Sequence, residues 1–141
     1  MKKVFLFIIS LISITGMAIA NDVVVTNVSL INQNTSGPLN THYSDVQFSI
    51  SWKNSWRTST NESNYDGCWL FIKYRKQSTS VWLHATLNMS GQVSPAGSVV
   101  KPVADGKGAF VYPSANGLGD VNYNNATLRW HYGSDGVLAN E

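Results

Sequence analysis

A strict alternation of apolar and polar residues between positions 46 and 53 is the feature that most constrains the fold. Val46, Phe48, Ile50 and Trp52 alternate with Gln47, Ser49, Ser51 and Lys53. Successive side chains of a β-strand point to opposite sides, so a period of two predicts a strand with one buried and one exposed face. A half-buried strand of this kind is typical of an antiparallel sheet.

Similar short runs recur along the chain with turns between them. Further strands are predicted at Val23–Leu30, Cys68–Tyr74, Val81–Leu87, Val99–Val103, Ala109–Tyr112 and Ala126–Tyr132, and loops at Asn32–Ser44, Asn54–Tyr65, Asn88–Lys101 and Pro113–Asp120. In the first of these strands, Val24, Thr26, Val28 and Leu30 are expected to share one face. No stretch shows a convincing helical period. Six to eight short strands therefore predict an all-β antiparallel sandwich of immunoglobulin-like or jelly-roll type.

The first 20 residues have the pattern of a signal peptide rather than of a structural element. They consist of a basic start at Lys2 and Lys3, an apolar run from Val4 to Ile14, and a small-x-small cleavage site at Ala18–Ala20. The apolar run is too short to span a membrane. We therefore expect an exported protein, located in the periplasm, at the cell surface or outside the cell. Residues 21–141 are expected to form a single sandwich domain without a membrane span.

Cysteine usage and charge argue against a disulfide-stabilised fold and against a nucleic-acid-binding protein. Cys68 is the only cysteine, so the fold cannot rely on an internal disulfide, and its apolar surroundings predict a buried, inert thiol. The chain has 10 Lys and Arg residues against 8 Asp and Glu. Removal of Lys2 and Lys3 with the signal peptide leaves eight of each, and hence no net charge. A nucleic-acid partner is not expected, because it would require a clustered basic surface.

No residue pattern indicates catalysis, a metal site or a cofactor. His42, His84 and His131 lie far apart, and no serine lies in a Gly-x-Ser-x-Gly motif. Asp66, Asp105 and Asp135 each precede a glycine, which favours tight turns over calcium binding. We therefore expect no catalytic residue, no metal ligand and no cofactor, and a protein that is not an enzyme. A metal site assembled from distant strands is the remaining alternative.

The aromatic residues divide into predicted core and predicted surface. Trp52, Trp69 and Trp130 continue the apolar faces of their strands and are expected in the core. Trp82 instead shares the polar face of its strand with His84.

Two groups of residues are candidates for ligand binding. If the last strand lies in the same sheet as Trp82 and His84, its Arg129 and His131 would join them on one face. Such a face would suit stacking on a sugar or docking another domain, the alternative being that Trp82 is covered by a loop or a second layer. Trp56 and Arg57 in the long loop Asn54–Tyr65 are weaker candidates.

Several tryptophan-centred motifs resemble a known family. They are Trp52–Arg57, Tyr65–Tyr74, Trp82–Leu87, Asp105–Phe110 and Leu128–Tyr132, followed by Asp135–Val137. Together they resemble the uncharacterised N-terminal β-domain of secreted Bacteroidota proteins, which often precedes a domain of the formylglycine-generating (sulfatase-modifying-factor) family. The family's enzymatic activity belongs to that downstream domain, whose cysteine and metal residues have no counterpart here.

The lack of a catalytic pattern, the strand pattern and the absence of net charge in residues 21–141 favour a non-enzymatic role for this chain. We expect an exported binding or interdomain-packing module, with a surface glycan or a downstream catalytic domain as its partner. The alternative is an N-terminal accessory part of a formylglycine-generating-enzyme-like protein, whose catalytic domain would lie beyond Glu141.

Overall fold

The computed structural model describes residues 21–61 and 63–140, which form an all-β sandwich. The eight strands are β1 (Val24–Asn34), β2 (Tyr43–Arg57), β3 (Cys68–Leu70), β4 (Lys73–Tyr74), β5 (Leu83–His84), β6 (Ser98–Pro102), β7 (Ala109–Pro113) and β8 (Gly117–Trp130). They form three antiparallel sheets, with strand orders β1-β2-β8, β3-β7-β6 and β4-β5. The predicted fold class, including the absence of a disulfide, is confirmed. The predicted signal peptide lies outside the described residues.

The core lies between the first two sheets. Phe48, Ile50 and Trp52 of β2 pack with Leu128 of β8 against Val111 of β7. The predicted buried side of the run from 46 to 52 is confirmed, because all four of its apolar residues are buried. The predicted exposed side is not, because Ser49 is buried and Gln47 and Ser51 are only partly exposed. Burial of the four apolar residues is the main stabilising contribution that the sequence pattern supplies, at about 25 cal/mol for each Å² of apolar surface removed from water.

The two longest strands extend further than the sequence predicts. β2 continues to Arg57 and β8 begins at Gly117, and these two residues are partners in the ladder. The loops predicted at Asn54–Tyr65 and Pro113–Asp120 are therefore wrong in the parts that pair. Pairing continues past Trp52 because Asn54 takes a left-handed conformation, with φ 57°, where the register shifts. The short helix Leu39–Thr41 has three residues, and no helix among the described residues is long and apolar enough to cross a membrane.

A bulge in β1 changes which of its residues face the core. The register shifts between Thr26 and Ser29, and Asn27 between them has φ 53°. An extra residue in a strand reverses the alternation beyond it. Val25 pairs with Ile50 on the inner face, and both Val28 and Leu30 are also on that side, where they adjoin Val46. The predicted grouping of Val24 with Val28 is therefore wrong, since Val24 pairs with Ser51.

The predicted core tryptophans do not all lie in the core. Trp52 and Trp130 are buried, as predicted, but Trp69 is 43% exposed. Trp69 lies between Cys68 and Leu70, which pack against the core, so its own side chain faces outward. The prediction was wrong because the outer side of the β3-β7-β6 sheet leaves this residue uncovered.

Candidate functional site

Eight residues on the outer side of the β3-β7-β6 and β4-β5 sheets form the candidate site, here called the outer aromatic face. They are Trp69, Phe71, Lys73, Arg75, Trp82, His84, Lys101 and Phe110, and all are exposed. Five have aromatic rings, three carry a positive charge and none is acidic.

Strand periodicity places these side chains together. From Trp69 to Arg75 the odd-numbered residues are exposed, while the even-numbered ones between them are partly buried. This row spans about 20 Å, since each residue of a strand advances about 3.3 Å. Across the sheet, Phe110 of β7 pairs with both Trp69 of β3 and Lys101 of β6. In the two-stranded sheet, Lys73 pairs with His84.

The rings of the outer aromatic face contact each other and the neighbouring cations. Trp69 and Phe110 meet edge to face with centroids 4.9 Å apart, and Phe71 lies 5.3 Å from the His84 ring. The Arg75 guanidinium lies 5.6 Å from the centroid of Trp82. Edge-to-face and cation–π geometries are both attractive for aromatic side chains. These contacts fix the rings while leaving much of their surface open to solvent.

Gly108 supports the position of Trp69. A Cβ atom at this residue would lie 2.4 Å from the indole ring of Trp69 and 2.8 Å from the Leu70 carbonyl oxygen. A larger residue would therefore push the indole off the sheet. The Asp105–Phe110 motif thus has a structural role in setting the outer aromatic face.

A cavity of about 370 Å³ adjoins this face beside Phe110. Its wall includes Lys101, Tyr65 and Tyr112. The two tyrosine rings stack with centroids 4.4 Å apart. Burial, and then the neighbouring Tyr65, raises the pKa of Tyr112, so its phenol stays protonated at neutral pH and can donate a hydrogen bond. The cavity gives the flat aromatic surface a concave border with polar groups, as ligand sites commonly have.

The four residues predicted to form one binding face lie in different sheets. Trp82 and His84 belong to the outer aromatic face, with His84 in β5. Arg129 lies in β8 of the other sheet, where its Nε donates to Asp45 Oδ1 at 2.8 Å and its guanidinium lies 4.0 Å from the Tyr43 ring. His131 follows β8, and its Nδ1 lies 3.2 Å from the Ser134 hydroxyl.

Arg129 has a structural role within its sheet. Asp45 is buried and also accepts a hydrogen bond from Asn32 Nδ2 at 3.1 Å. The hydrogen bond with Asp45 raises the pKa of Arg129 above its ordinary value. A buried carboxylate needs such partners, because an unpaired buried charge is strongly destabilising.

Trp56 and Arg57 lie at the end of β2 rather than in a loop. The backbone N–H of Trp56 donates to Asp66 Oδ1 at 3.0 Å. Arg57 donates to the Pro113 carbonyl oxygen at 2.8 Å and lies 4.8 Å from the centroid of the Tyr65 ring. Arg57 therefore holds Tyr65 at the cavity wall.

Two of the Asp-Gly pairs bind core tryptophans, a role that the sequence does not reveal. Asp66 accepts from the Trp52 indole N–H at 2.8 Å and from the Ser55 hydroxyl at 2.7 Å. Asp135 accepts from the Trp130 indole N–H at 2.8 Å and from the Thr86 hydroxyl at 2.6 Å. We call these two arrangements the tryptophan–aspartate clasps.

The turn interpretation of the Asp-Gly pairs fits two of the three. Gly106 and Gly136, which follow Asp105 and Asp135, both have φ 68°. Gly67, which follows Asp66, does not have a positive φ. Asp66 is thus placed for its hydrogen bonds rather than for a left-handed turn.

The part of the chain that the structure describes contains neither a metal-binding cluster nor an activated thiol. No three His, Cys, Asp or Glu side chains within residues 21–61 and 63–140 are arranged to hold a metal ion. Cys68 is half-buried on the core side of β3, and burial, with a further contribution from Asp66, raises the pKa of its thiol. A raised pKa keeps the sulfur in its unreactive, protonated form.

The outer aromatic face was only partly predicted. Trp82 and His84 were among the predicted residues, whereas Trp69, Phe71 and Phe110 were not. The available signal was the alternation from Trp69 to Arg75. The residues on the same face as Trp69 include the cations Lys73 and Arg75 at the end of the run, which indicates an exposed face.

Comparison with protein-family models, with curated proteins and with solved structures returned no match to this chain. The resemblance described from the sequence motifs therefore stays a prediction, and the functional argument rests on the geometry of the site.

Proposed function

We propose that this chain is an exported, non-enzymatic binding module whose ligand surface is the outer aromatic face and whose ligand is an acidic glycan. One observation carries the proposal: five exposed rings lie beside three cations on one side of the sandwich, and none of these residues is acidic. Exposed apolar groups clustered in this way mark interaction sites more often than isolated surface residues do.

The chemistry of the face suits a sugar with carboxylate or sulfate groups. The C–H groups of a pyranose ring can pack on the broad faces of Trp69 and Trp82, which are 43% and 60% exposed. Lys73, Arg75 and Lys101 supply positive charge beside those rings. The cavity next to Phe110 can receive a substituent, with the Tyr65 and Tyr112 side chains at its wall. The combination favours an anionic polysaccharide over a neutral one.

The experiment measures binding to matched acidic and neutral polysaccharides by isothermal titration calorimetry. A polyuronate or sulfated glycan is expected to bind more tightly than its neutral counterpart, and to bind more weakly as salt is added, since exposed charges are screened. Trp69→Ala and Phe110→Ala are each expected to lower the affinity about tenfold, which corresponds to about 1.4 kcal/mol.

Leu118→Ala is the matched control for these variants. Leu118 is 90% exposed and lies in the other sheet, where it pairs with Trp56, so its truncation should leave glycan affinity unchanged. Equal binding by wild type, Trp69→Ala and Phe110→Ala would refute the proposal. Absence of any glycan binding, combined with binding to a downstream domain of the formylglycine-generating family, would support the accessory role instead.

A further inference from the structure

The inner face of β1 is exposed, although it continues the core side of its sheet. Val25 pairs with Ile50 of the core, and Leu30 pairs with Val46. Nevertheless Val25, Val28 and Leu30 are 44%, 64% and 62% exposed. Within residues 21–61 and 63–140, the second sheet, of order β3-β7-β6, covers β2 and β8 but does not bury these residues of β1.

A cleft runs between β1 and the segment from Leu70 to Lys76. Two neighbouring cavities of about 240 and 410 Å³ share four wall residues and form this β1 cleft. The shared residues are Val28, Val46, Ile72 and Lys73. Apart from the side chains at one rim, the walls are almost entirely apolar. The cleft is therefore an opening at the side of the sandwich, wide enough for the apolar side chains of one additional strand.

The backbone of β1 is also available for pairing. β1 is the terminal strand of its sheet, and in residues 21–61 and 63–140 no strand pairs with its outer edge. Its eleven residues include no charged residue and no proline. Proteins usually protect edge strands with such residues, because unpaired N–H and C=O groups attract other chains. Of these protective features, β1 has the bulges in its register, which twist an edge strand away from other chains.

The positive charges at the rim of the cleft favour an acidic partner. Lys73, Arg75 and Lys76 are the charged residues that line the β1 cleft, and no carboxylate is among its wall residues. Lys76 Nζ donates to the Gly136 carbonyl oxygen at 2.8 Å, which holds its charge at this end. An occupant with carboxylates beside an apolar stretch matches both the rim and the walls.

We propose that the β1 cleft binds an extended, acidic-flanked segment of a partner polypeptide, which adds to β1 as a further strand. Its main chain pairs with the free edge, and alternate apolar side chains fill the cleft. Its carboxylates lie beside Lys73 and Arg75. The cleft shares Phe71, Lys73, Arg75 and Trp82 with the outer aromatic face, whereas its β1 wall of Val25, Val28 and Leu30 lies outside that face. The inference rests on this β1 wall and does not require glycan binding.

The test uses a designed peptide of about nine residues, a usual strand length. The peptide alternates valine and threonine and carries two glutamates at one end, and binding is followed by fluorescence anisotropy. The structure predicts saturable binding. Replacement of the glutamates by lysines, or N-methylation of alternate amides, should each weaken binding at least tenfold.

Two variants of the same strand distinguish the cleft from the rest of β1. Val28→Glu places a charge in the cleft and should weaken peptide binding at least tenfold. Val24→Glu is the control, because Val24 is 49% exposed but pairs with Ser51 on the opposite face. Both positions are already exposed, so both variants should fold. Circular dichroism verifies that they do.

Three results would overturn the inference. One is the absence of saturable binding at peptide concentrations up to about 1 mM. A Kd of that size corresponds to a binding free energy of only about 4 kcal/mol. Another is an equal effect of the two variants. A third is self-association of the protein that Val28→Glu abolishes while peptide binding is absent, since a second copy would then be the occupant.

Discussion

At the scale of single residues, the tryptophan–aspartate clasps explain how Trp52 and Trp130, each with a polar indole N–H, are accommodated in the core. A buried indole N–H requires an acceptor, since an unsatisfied buried donor costs about 1–3 kcal/mol. Asp66 and Asp135 supply it, and each also receives a hydroxyl and a backbone N–H from the same region. Each carboxylate thereby joins a loop to a sheet.

Asp66→Ala is expected to lower the free energy of unfolding by about 3 kcal/mol, because it leaves the Trp52 indole N–H and the Ser55 hydroxyl without their acceptor. Asp105→Ala provides the comparison. Asp105 is exposed and accepts a hydrogen bond from the backbone N–H of Lys107, so its removal should cost less than about 1 kcal/mol. Urea unfolding followed by circular dichroism measures both. A similar cost for the two variants would contradict the proposed role of Asp66.

At the scale of strands, the asparagines show why a correct strand prediction assigned the wrong faces. Asn27, Asn54 and Asn125 have positive φ where the strand register shifts. Asparagine enters the left-handed region more readily than most residues, so it suits a bulge. The sequence shows these residues only as part of an asparagine-rich composition. Nothing in the alternation itself indicates that it reverses at Asn27.

Asn125→Ala is expected to destabilise the protein by about 1 kcal/mol, because alanine pays the full cost of a left-handed backbone. Asn125→Gly should stay within about 0.5 kcal/mol of wild type, since glycine reaches that conformation freely. The neighbouring Asn124→Ala is the control, because Asn124 is also exposed but has no positive φ. Denaturant midpoints compare the three, and a loss as large in Asn124→Ala would show that backbone strain is not the cause.

At the scale of the whole molecule, the sequence predicted the architecture better than the site. The period of two at Val46–Trp52 required a sheet with one covered face, and the short strands required a second sheet to cover it. The exposure of Trp69 depends instead on whether a further layer covers the outside of β3, which a local pattern does not specify. Arg129 was assigned to a surface because its partner, Asp45, is 84 positions away in the sequence.

Stability is expected to fall at alkaline pH. Burial raises the pKa of Cys68, Tyr112 and Tyr123, so the folded protein keeps protons that the unfolded chain releases. These groups contribute fully below the unfolded pKa values of about 8.5 for cysteine and 10 for tyrosine. Their contribution is lost as pH rises through the folded pKa values.

Urea midpoints measured from pH 7 upward test this expectation. The midpoint should be steady near neutrality and decline above about pH 9. Tyr123→Phe should reduce that decline, because it removes a buried phenol whose hydroxyl otherwise lies 3.2 Å from the Gly97 carbonyl oxygen. A midpoint that rises with pH over this range would contradict the assigned shifts.

The division of the tryptophans between core and surface has an optical consequence. Trp52 and Trp130 are enclosed and bound to carboxylates, whereas Trp56, Trp69 and Trp82 are 37%, 43% and 60% exposed. A glycan on the outer aromatic face does not reach these two enclosed indoles, whose surroundings change when the sheets separate. A dissolved quencher reaches the surface indoles, two of which belong to the outer aromatic face. The intrinsic fluorescence of one unlabelled sample therefore distinguishes occupation of that face from loss of the fold.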